Sequence, residues 1–162
     1  QGSPNEAIDY FVLSSTGSGI SFGSLTDPRN RLSAVSSSVR ALFAGGYSPG
    51  NVNIIDYVQI PTTGNAIDFG DLTESKHAVS AAGNSTRGII ASGAGAALFN
   101  TIEFVTIATT GNAQDFGDTT LLRTQSSASC SNSIRGVFCG GYQPSPDSKD
   151  TNVMDFIVFA TT

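Results

Sequence analysis

Short apolar runs separated by turn-forming residues recur along the whole chain. Within one unit of this pattern, four runs have the length and composition of β-strands: residues 77–82, 87–91, 54–60 and 66–69. In the run 54–60, Ile55 and Tyr57 face one side and Val58 faces the other, as the period-2 geometry of a strand requires. No long stretch repeats its apolar residues with the 3.6-residue period of a helix. The pattern therefore predicts an all-β protein of short strands joined by Gly-rich turns.

The same unit occurs several times in the sequence. Ile8-Asp9-Tyr10 recurs, at steps of 47, 47 and 52 residues, as Ile55-Asp56-Tyr57, Ile102-Glu103-Phe104 and Met154-Asp155-Phe156. Phe22-Gly23 recurs as Phe69-Gly70 and Phe116-Gly117, and Gly45-Gly46 recurs as Gly140-Gly141. A repeat of about 40 to 50 residues is typical of four-stranded propeller blades. The repeat thus predicts a β-propeller with about three blades per chain.

The repeat also predicts how the chain is divided. We expect residues 1–162 to form a single repeat domain with a partial blade at 8–25, blades at 29–72 and 76–119, and a second partial blade at 123–159. Three blades are fewer than the four to eight of most closed propellers. Two alternatives follow: a second copy completes the ring in a homodimer, or the remainder of a longer chain does so.

Six of the eight basic residues fall on two repeat positions, which are Arg29, Lys76 and Arg123 in one case and Arg40, Arg87 and Arg135 in the other. The simplest interpretation is structural, with ion pairs to the recurring acids Asp9, Asp56, Glu103 and Asp155 or hydrogen bonds to turn carbonyls. The alternative is a ring of Arg40, Arg87 and Arg135 at a channel mouth, where it would suit an anionic sugar or carboxylate.

The loops that follow the second strand of each blade supply further candidate ligand-binding residues. Tyr47 lies in the first of these loops and Tyr142 in the last, which residues 143–151 lengthen by about five positions relative to the others. Loops that depart from a regular scaffold often carry recognition, although surface tolerance of insertions is the simpler explanation. With the three arginines, these tyrosines complete the predicted ligand-binding set.

Several kinds of chemistry are disfavoured by the composition. The net charge of −5 argues against a nucleic-acid partner, and no apolar run approaches the roughly 20 residues that cross a membrane. The acid pairs of the Asp-Phe-Gly-Asp segments, at 68–71 and 115–118, lack the convergent oxygens of a calcium site. Two cysteines and the single His77 cannot build a zinc site, so we expect no metal. We also expect no cofactor and no catalytic residues. Cys130 and Cys139 flank one turn, and both a disulfide and apolar packing of two thiols remain open.

The repeat resembles the kelch repeat. The segments Phe43-Ala44-Gly45-Gly46-Tyr47 and Phe138-Cys139-Gly140-Gly141-Tyr142 match its diglycine, and Asp27-Pro28-Arg29 matches its Pro-Arg. Phe22, Phe69 and Phe116 stand where kelch repeats usually carry Trp, so the likeness is to a kelch-like family. The recurring segment Thr-Thr-Gly-Asn-Ala-x-Asp-Phe-Gly-Asp is also similar to repeats in virion structural proteins of aquatic bacteriophages, including cyanophages.

This resemblance implies a propeller and an extracellular or virion-associated location. The leading hypothesis is a non-catalytic recognition or structural module of a phage virion appendage that binds a cell-surface glycan. The first alternative is a purely architectural propeller repeat that mediates assembly with other protein chains. The second is a polysaccharide-active enzyme, for which no pair of carboxylates stands out from the repeat background.

Overall fold

A computed structural model describes residues 5–124, 128–143 and 149–159 of the chain. Their strands are, in chain order, β1 (Asn5–Tyr10), β2 (Ile20–Arg29), β3 (Ser33–Ser36), β4 (Arg40–Ala44), β5 (Ile54–Gln59), β6 (Ile67–Asp71), β7 (Ser80–Gly83), β8 (Arg87–Ala94), β9 (Leu98–Thr106), β10 (Gln114–Asp118), β11 (Ala128–Ser131), β12 (Arg135–Cys139), β13 (Tyr142–Gln143), β14 (Lys149–Asp150) and β15 (Met154–Val158). The predicted all-β class is confirmed.

The strands form antiparallel sheets that follow one another along the chain. Sheet I is the pair β1–β2, sheet II has the order β3-β4-β5-β6, sheet III has the order β10-β9-β8-β7, and sheet IV has the order β11-β12-β15. The short strands β13 and β14 pair separately between β12 and β15. No closed propeller ring is present among the residues that the structure describes.

The four strands predicted for one unit are confirmed, with one shift. The predicted strand at 77–82 is observed as β7, Ser80–Gly83. It begins later because Ala78 has a positive φ of 52°, which interrupts an extended chain. His77 instead forms an isolated antiparallel bridge with Ala94 at the end of β8.

Sheets II and III bury apolar side chains on both faces because each lies between two other sheets. In β5, Ile55 is 0% exposed and Val58 is 4% exposed, although they point to opposite sides. Ile55 belongs to the cluster between sheets II and III, whereas Val58 packs against Ile8 and Tyr10 of sheet I. A third cluster joins sheet III to Phe138 and Ile157 of sheet IV. The sheets are therefore stacked in the order I, II, III, IV.

Backbone hydrogen bonds link the outermost strand of one sheet to the turn between the last two strands of the next. Gly64 N–H donates to Phe22 C=O at 2.9 Å, and Gly111 N–H donates to Phe69 C=O at 2.8 Å. The backbones approach so closely that a Cβ on Gly70 would lie 2.5 Å from the carbonyl oxygen of Gly111. The glycine in the recurring Phe-Gly pair thus permits direct contact between neighbouring sheets.

Three buried ion pairs repeat the same arrangement. Arg29 Nη1 lies 2.8 Å from Asp56 Oδ2, Lys76 Nζ lies 2.8 Å from Glu103 Oε2, and Arg123 Nη2 lies 2.7 Å from Asp155 Oδ2. The predicted pairing of these three basic residues with recurring acids is confirmed. Asp9 occupies the same repeat position but is exposed.

Each paired carboxylate also accepts hydrogen bonds from a threonine of the preceding repeat unit, which lies near the end of β2 in the first case and just after β6 or β10 in the others. Thr26 donates from its backbone N–H and its hydroxyl to Asp56, and Thr73 does the same to Glu103. The Thr120 hydroxyl donates to Asp155 at 2.6 Å. Such multiple donors compensate a carboxylate for its removal from water, so these acids hold the connection between sheets in place.

The two cysteines differ from both sequence-based alternatives. Their thiols are free, with Cys130 exposed and Cys139 half-buried. They lie on the neighbouring strands β11 and β12, but Cys130 is opposite Val137 and Cys139 is opposite Ala128. Packing between two sheets is not observed for Cys130, because no further sheet covers this side of sheet IV among the described residues.

Candidate ligand-binding site

Arg40 and Arg87, two of the predicted ligand-binding residues, contact the protein itself. The Arg40 guanidinium lies 4.7 Å from the centre of the Tyr57 ring and donates to the carbonyls of Ile107 and Ala108 at 3.0 and 2.8 Å. The guanidinium of Arg87 lies 4.9 Å from the Phe104 ring and donates to Phe159 C=O at 2.9 Å. Each arginine therefore joins its own sheet to the next one.

Arg135 has the same stacking arrangement but lacks the second contact. Its guanidinium lies 5.2 Å from the centre of the Phe156 ring, and the side chain is exposed. No carbonyl of the described residues accepts a hydrogen bond from it. Arg135 is the member of the predicted arginine set whose donors are free within the described part of the chain.

Tyr47, the fourth predicted residue, lies in a polar group at the other end of β4. We define the Tyr47 surface as Arg31, Tyr47, Asn51 and His77, which come from the loop after β4 and from the segments that precede β3 and β7. The Tyr47 ring is 39% exposed and meets the His77 imidazole edge to face, with 5.8 Å between the ring centres. An aromatic face thus lies beside amide, imidazole and guanidinium groups.

The backbone beneath the Tyr47 surface is fixed by the repeat. Asn30 and Tyr47 exchange backbone hydrogen bonds at 3.2 and 2.9 Å, and His77 and Ala94 do so at 2.8 and 2.9 Å. Ala78 N–H donates to Arg31 C=O at 2.9 Å, which connects the two loops directly. The surface is therefore held on a rigid support, as a preorganised binding site requires.

The hydrogen-bond partners of the two His77 ring nitrogens fit a neutral imidazole. Nδ1 lies 2.7 Å from Asn51 Oδ1, an acceptor, so Nδ1 carries the proton. Nε2 lies 3.3 Å from Arg31 Nη1, a donor, so Nε2 accepts. Burial and, to a smaller extent, the positive charge of Arg31 lower the pKa of His77 from its usual 6.5, and a backbone hydrogen bond with Ala94 opposes them. His77 therefore positions its neighbours and has no free nitrogen for proton transfer.

Tyr142, the fifth predicted residue, is half-buried in the equivalent loop of sheet IV. Its backbone forms an antiparallel bridge with Thr124 and pairs with Asp150 across β13 and β14. Residues 144–148 of the predicted insertion lie outside the described residues. Tyr142 and Tyr47 thus occupy the same repeat position on different sheets, and the structure does not bring them into one site.

Small hollows also recur at the turn between the last two strands of the sheets. The turn of sheet III encloses about 270 Å³ lined by Thr109, Thr110 and Asn112, and the equivalent turn of sheet II encloses about 130 Å³ lined by Thr62, Thr63 and Asn65. Asn65 and Asn112 use their Oδ1 atoms to accept hydrogen bonds from backbone N–H groups of the preceding sheet. These hollows therefore belong to the framework that repeats from sheet to sheet.

The sequence singled out His77 but did not place Arg31 or Asn51 with it. The available signal was a departure from the repeat, because Asn30 and Thr124 occupy the position of His77 in the other units. Residues that break a repeat are free of its packing requirements, which makes them better candidates for recognition than residues that recur.

No protein-family model matches the chain, and no curated protein matches it. Within the described residues, no group of three or more acidic, histidine or cysteine side chains is arranged to hold a metal ion. That part of the chain also has no helix that is long and apolar enough to cross a membrane.

Proposed function

We propose that the chain is a non-catalytic recognition module, a segment of a kelch-like β-propeller, that binds a cell-surface glycan through the Tyr47 surface. The observation that carries the proposal is the position of an exposed tyrosine beside an amide, an imidazole and a guanidinium on rigid backbone. A sugar ring offers hydroxyls to the amide of Asn51 and the guanidinium of Arg31 and an apolar face to the Tyr47 ring, while His77 holds these groups in position.

The stacking of the sheets supports the propeller part of the proposal. The first strands of three consecutive sheets, β3, β7 and β11, border one groove of about 310 Å³ lined by residues that include Val35, Ala82 and Cys130. In a propeller, the blades surround a central channel. Ser129 Oγ donates to Ala81 C=O at 2.6 Å and Ser131 Oγ donates to Gly83 C=O at 2.7 Å, so the first strands are also bonded to one another.

The engagement of His77 supports a binding role over an enzymatic one. A general base must have a free nitrogen within reach of the proton that it removes. Both nitrogens of His77 are within hydrogen-bond distance of protein groups. The virion-appendage setting and the extracellular location rest on the sequence resemblance alone.

A glycan array followed by affinity measurements tests this function. We expect Tyr47→Ala to lower the affinity for the best-binding glycan at least tenfold, because a loss of about 1.4 kcal/mol of binding free energy gives that factor. Arg31→Gln should weaken it by a similar amount, and Tyr47→Phe should retain the part that depends on the ring. Ile67→Ala is the matched control, because Ile67 is 59% exposed and lies away from these loops.

The results distinguish an error in the location of the site from an error in the proposed function. If Tyr142→Ala abolishes glycan binding and Tyr47→Ala does not, the binding site lies in the loop of sheet IV that contains Tyr142. An array without any specific binding would contradict glycan recognition. It would favour the alternative function, an architectural repeat, which the use of Arg40 and Arg87 in contacts between sheets supports.

A further inference from the structure

The contacts between neighbouring sheets use the same repeat positions each time. We call the side of a sheet that faces the next sheet in the chain its C-side face, and the opposite side its N-side face. On the C-side faces, Ile55 and Tyr57 of sheet II correspond to Ile102 and Phe104 of sheet III. On the N-side faces, Val105 and Ile107 of sheet III correspond to Ile157 and Phe159 of sheet IV. The chain thus contains three versions of one interface.

The C-side face of sheet IV has no partner among the described residues. The strand register places Met154 opposite Cys139 and Phe156 opposite Val137, as Ile102 and Phe104 are placed opposite Ala91 and Ile89 in sheet III. Ile102 is 4% exposed, whereas Met154 is 71% exposed and Phe156 is 62% exposed. Two large apolar side chains at interface positions are therefore in contact with water.

The N-side face of sheet I also exposes apolar residues at positions that are buried in sheet III. Phe11 occupies the repeat position of Val58 and Val105, and Leu13 occupies that of Ile60 and Ile107. Val58 is 4% exposed, and Ile60 and Ile107 are 41% and 1% exposed, but Phe11 is 67% exposed and Leu13 is 91% exposed. Exposed apolar groups at this density mark an interaction surface on a soluble domain.

Arg135 connects these two faces. Arg40 and Arg87 donate to main-chain carbonyls at Ile107, Ala108 and Phe159 of the following sheet. Leu13 is the residue of sheet I at the position of Ile107. Arg135, stacked on Phe156, has free donors among the described residues, and the Leu13 carbonyl is the equivalent acceptor.

We propose that the C-side face of sheet IV in one molecule docks on the N-side face of sheet I in a second copy of this chain. Met154 and Phe156 pack against Phe11 and Leu13, and Arg135 donates to the Leu13 carbonyl. A second copy is the occupant because the two faces are the two halves of an interface that already occurs three times within the chain. The contact is head-to-tail, so it uses different surfaces on the two partners and produces a closed ring or a longer assembly.

Light scattering on chromatographed protein over a range of concentrations tests the proposal. We expect the wild-type chain to show masses that are multiples of 16.7 kDa and rise with concentration until a ring closes. Phe156→Glu and Leu13→Glu should each give a monomer, because each places a charge in one apolar face. Ile67→Glu is the matched control, because it adds the same charge at an exposed apolar residue of sheet II and should assemble like the wild type.

Mixing the two disabled variants gives the sharpest result. Leu13→Glu keeps an intact C-side face and Phe156→Glu keeps an intact N-side face, so the mixture should form a dimer and nothing larger. A wild-type chain that stays monomeric at every concentration would overturn the proposal. So would a Leu13→Glu variant that dimerises alone, since this would require two identical faces to meet.

Discussion

The guanidinium groups of Arg40 and Arg87 show how much one side chain can contribute to the joining of two sheets. A hydrogen bond from a charged donor contributes about 1.5 to 3 kcal/mol, and stacking on an aromatic ring adds about 0.5 to 1 kcal/mol. Arg40 makes two such bonds and one such stack. Basic residues that recur with the repeat therefore stabilise the contacts between sheets. Residues that do not recur are not needed for those contacts.

The sole histidine provides a direct test of the Tyr47 surface at the scale of one residue. Because burial and Arg31 disfavour its protonated form, NMR titration should give His77 a pKa below 6.5. Arg31→Gln should raise that pKa without restoring 6.5, since burial is the larger cause. Arg87→Gln serves as the control and should leave it unchanged. A pKa at or above 6.5 in the wild type would contradict the described environment.

The lowered pKa also fixes the sign of a pH effect on stability. The unfolded chain takes up the proton first as the pH falls below about 6.5, so the free energy of unfolding decreases over that range until the folded state is also protonated. Urea denaturation at several pH values should show a shallower decrease for His77→Gln than for the wild type.

Interactions at this scale were predictable from the sequence only where both partners recur. The pair Arg29–Asp56 could be anticipated because both residues return in later units. The stack of Arg40 on Tyr57 could not, since it depends on strand register, which places Arg40 opposite Gln59. The grouping of Arg31, Asn51 and His77 was not predictable at all, because it joins loops of two units through residues that occur once.

At the scale of a strand or turn, two equivalent glycines isolate the contribution of one contact between sheets. Gly70 and Gly117 have nearly equal φ values of +143° and +140°, a region that is essentially restricted to glycine, so alanine is strained at both positions. A Cβ at Gly70 would lie 2.5 Å from the Gly111 carbonyl oxygen, whereas no atom of the described residues lies within 4 Å of one at Gly117. The contact with a neighbouring sheet is therefore the main difference between the two positions.

We expect Gly117→Ala to lower the free energy of unfolding by about 1 to 3 kcal/mol through strain alone. Gly70→Ala should lower it by a further 1 to 3 kcal/mol or so, the usual range for overpacking. Chemical denaturation of both variants measures the difference. Equal losses would mean that the close approach of Gly70 to Gly111 does not exist in solution.

Elements were predicted more reliably than their limits. The alternation in residues 54–60 predicted β5, and both faces are apolar because sheets lie on both sides. The start of β7 was wrong by three residues, because the positive φ of Ala78 reflects its contact with Arg31 and not a preference of alanine. The local sequence indicates which residues prefer an extended conformation. The contact between Ala78 and Arg31 depends on how the sheets stack, which the local sequence does not show.

At the scale of the whole molecule, stability depends on how many neighbours a sheet has. In a stack of repeated units, each unit gains free energy from its own strands and from each interface with a neighbour. Sheet III has sheet II on one side and sheet IV on the other, whereas the N-side face of sheet I exposes Phe11 and Leu13. Protection against local opening should therefore vary along the stack.

Hydrogen exchange measured by mass spectrometry tests this gradient. Backbone amides of β8 and β9 should exchange slowest and those of β1 and β2 fastest in the dilute protein, because sheet III loses two interfaces when it opens and sheet I loses one. If the head-to-tail contact forms, raising the concentration should slow exchange in residues 7–13 and 154–158 and leave β8 unchanged. Leu13→Glu supplies the control, since its exchange should not depend on concentration. Equal protection of sheets I and III in the dilute protein would show that the chain opens as one cooperative unit, and the account of stability as a sum over interfaces would then be wrong.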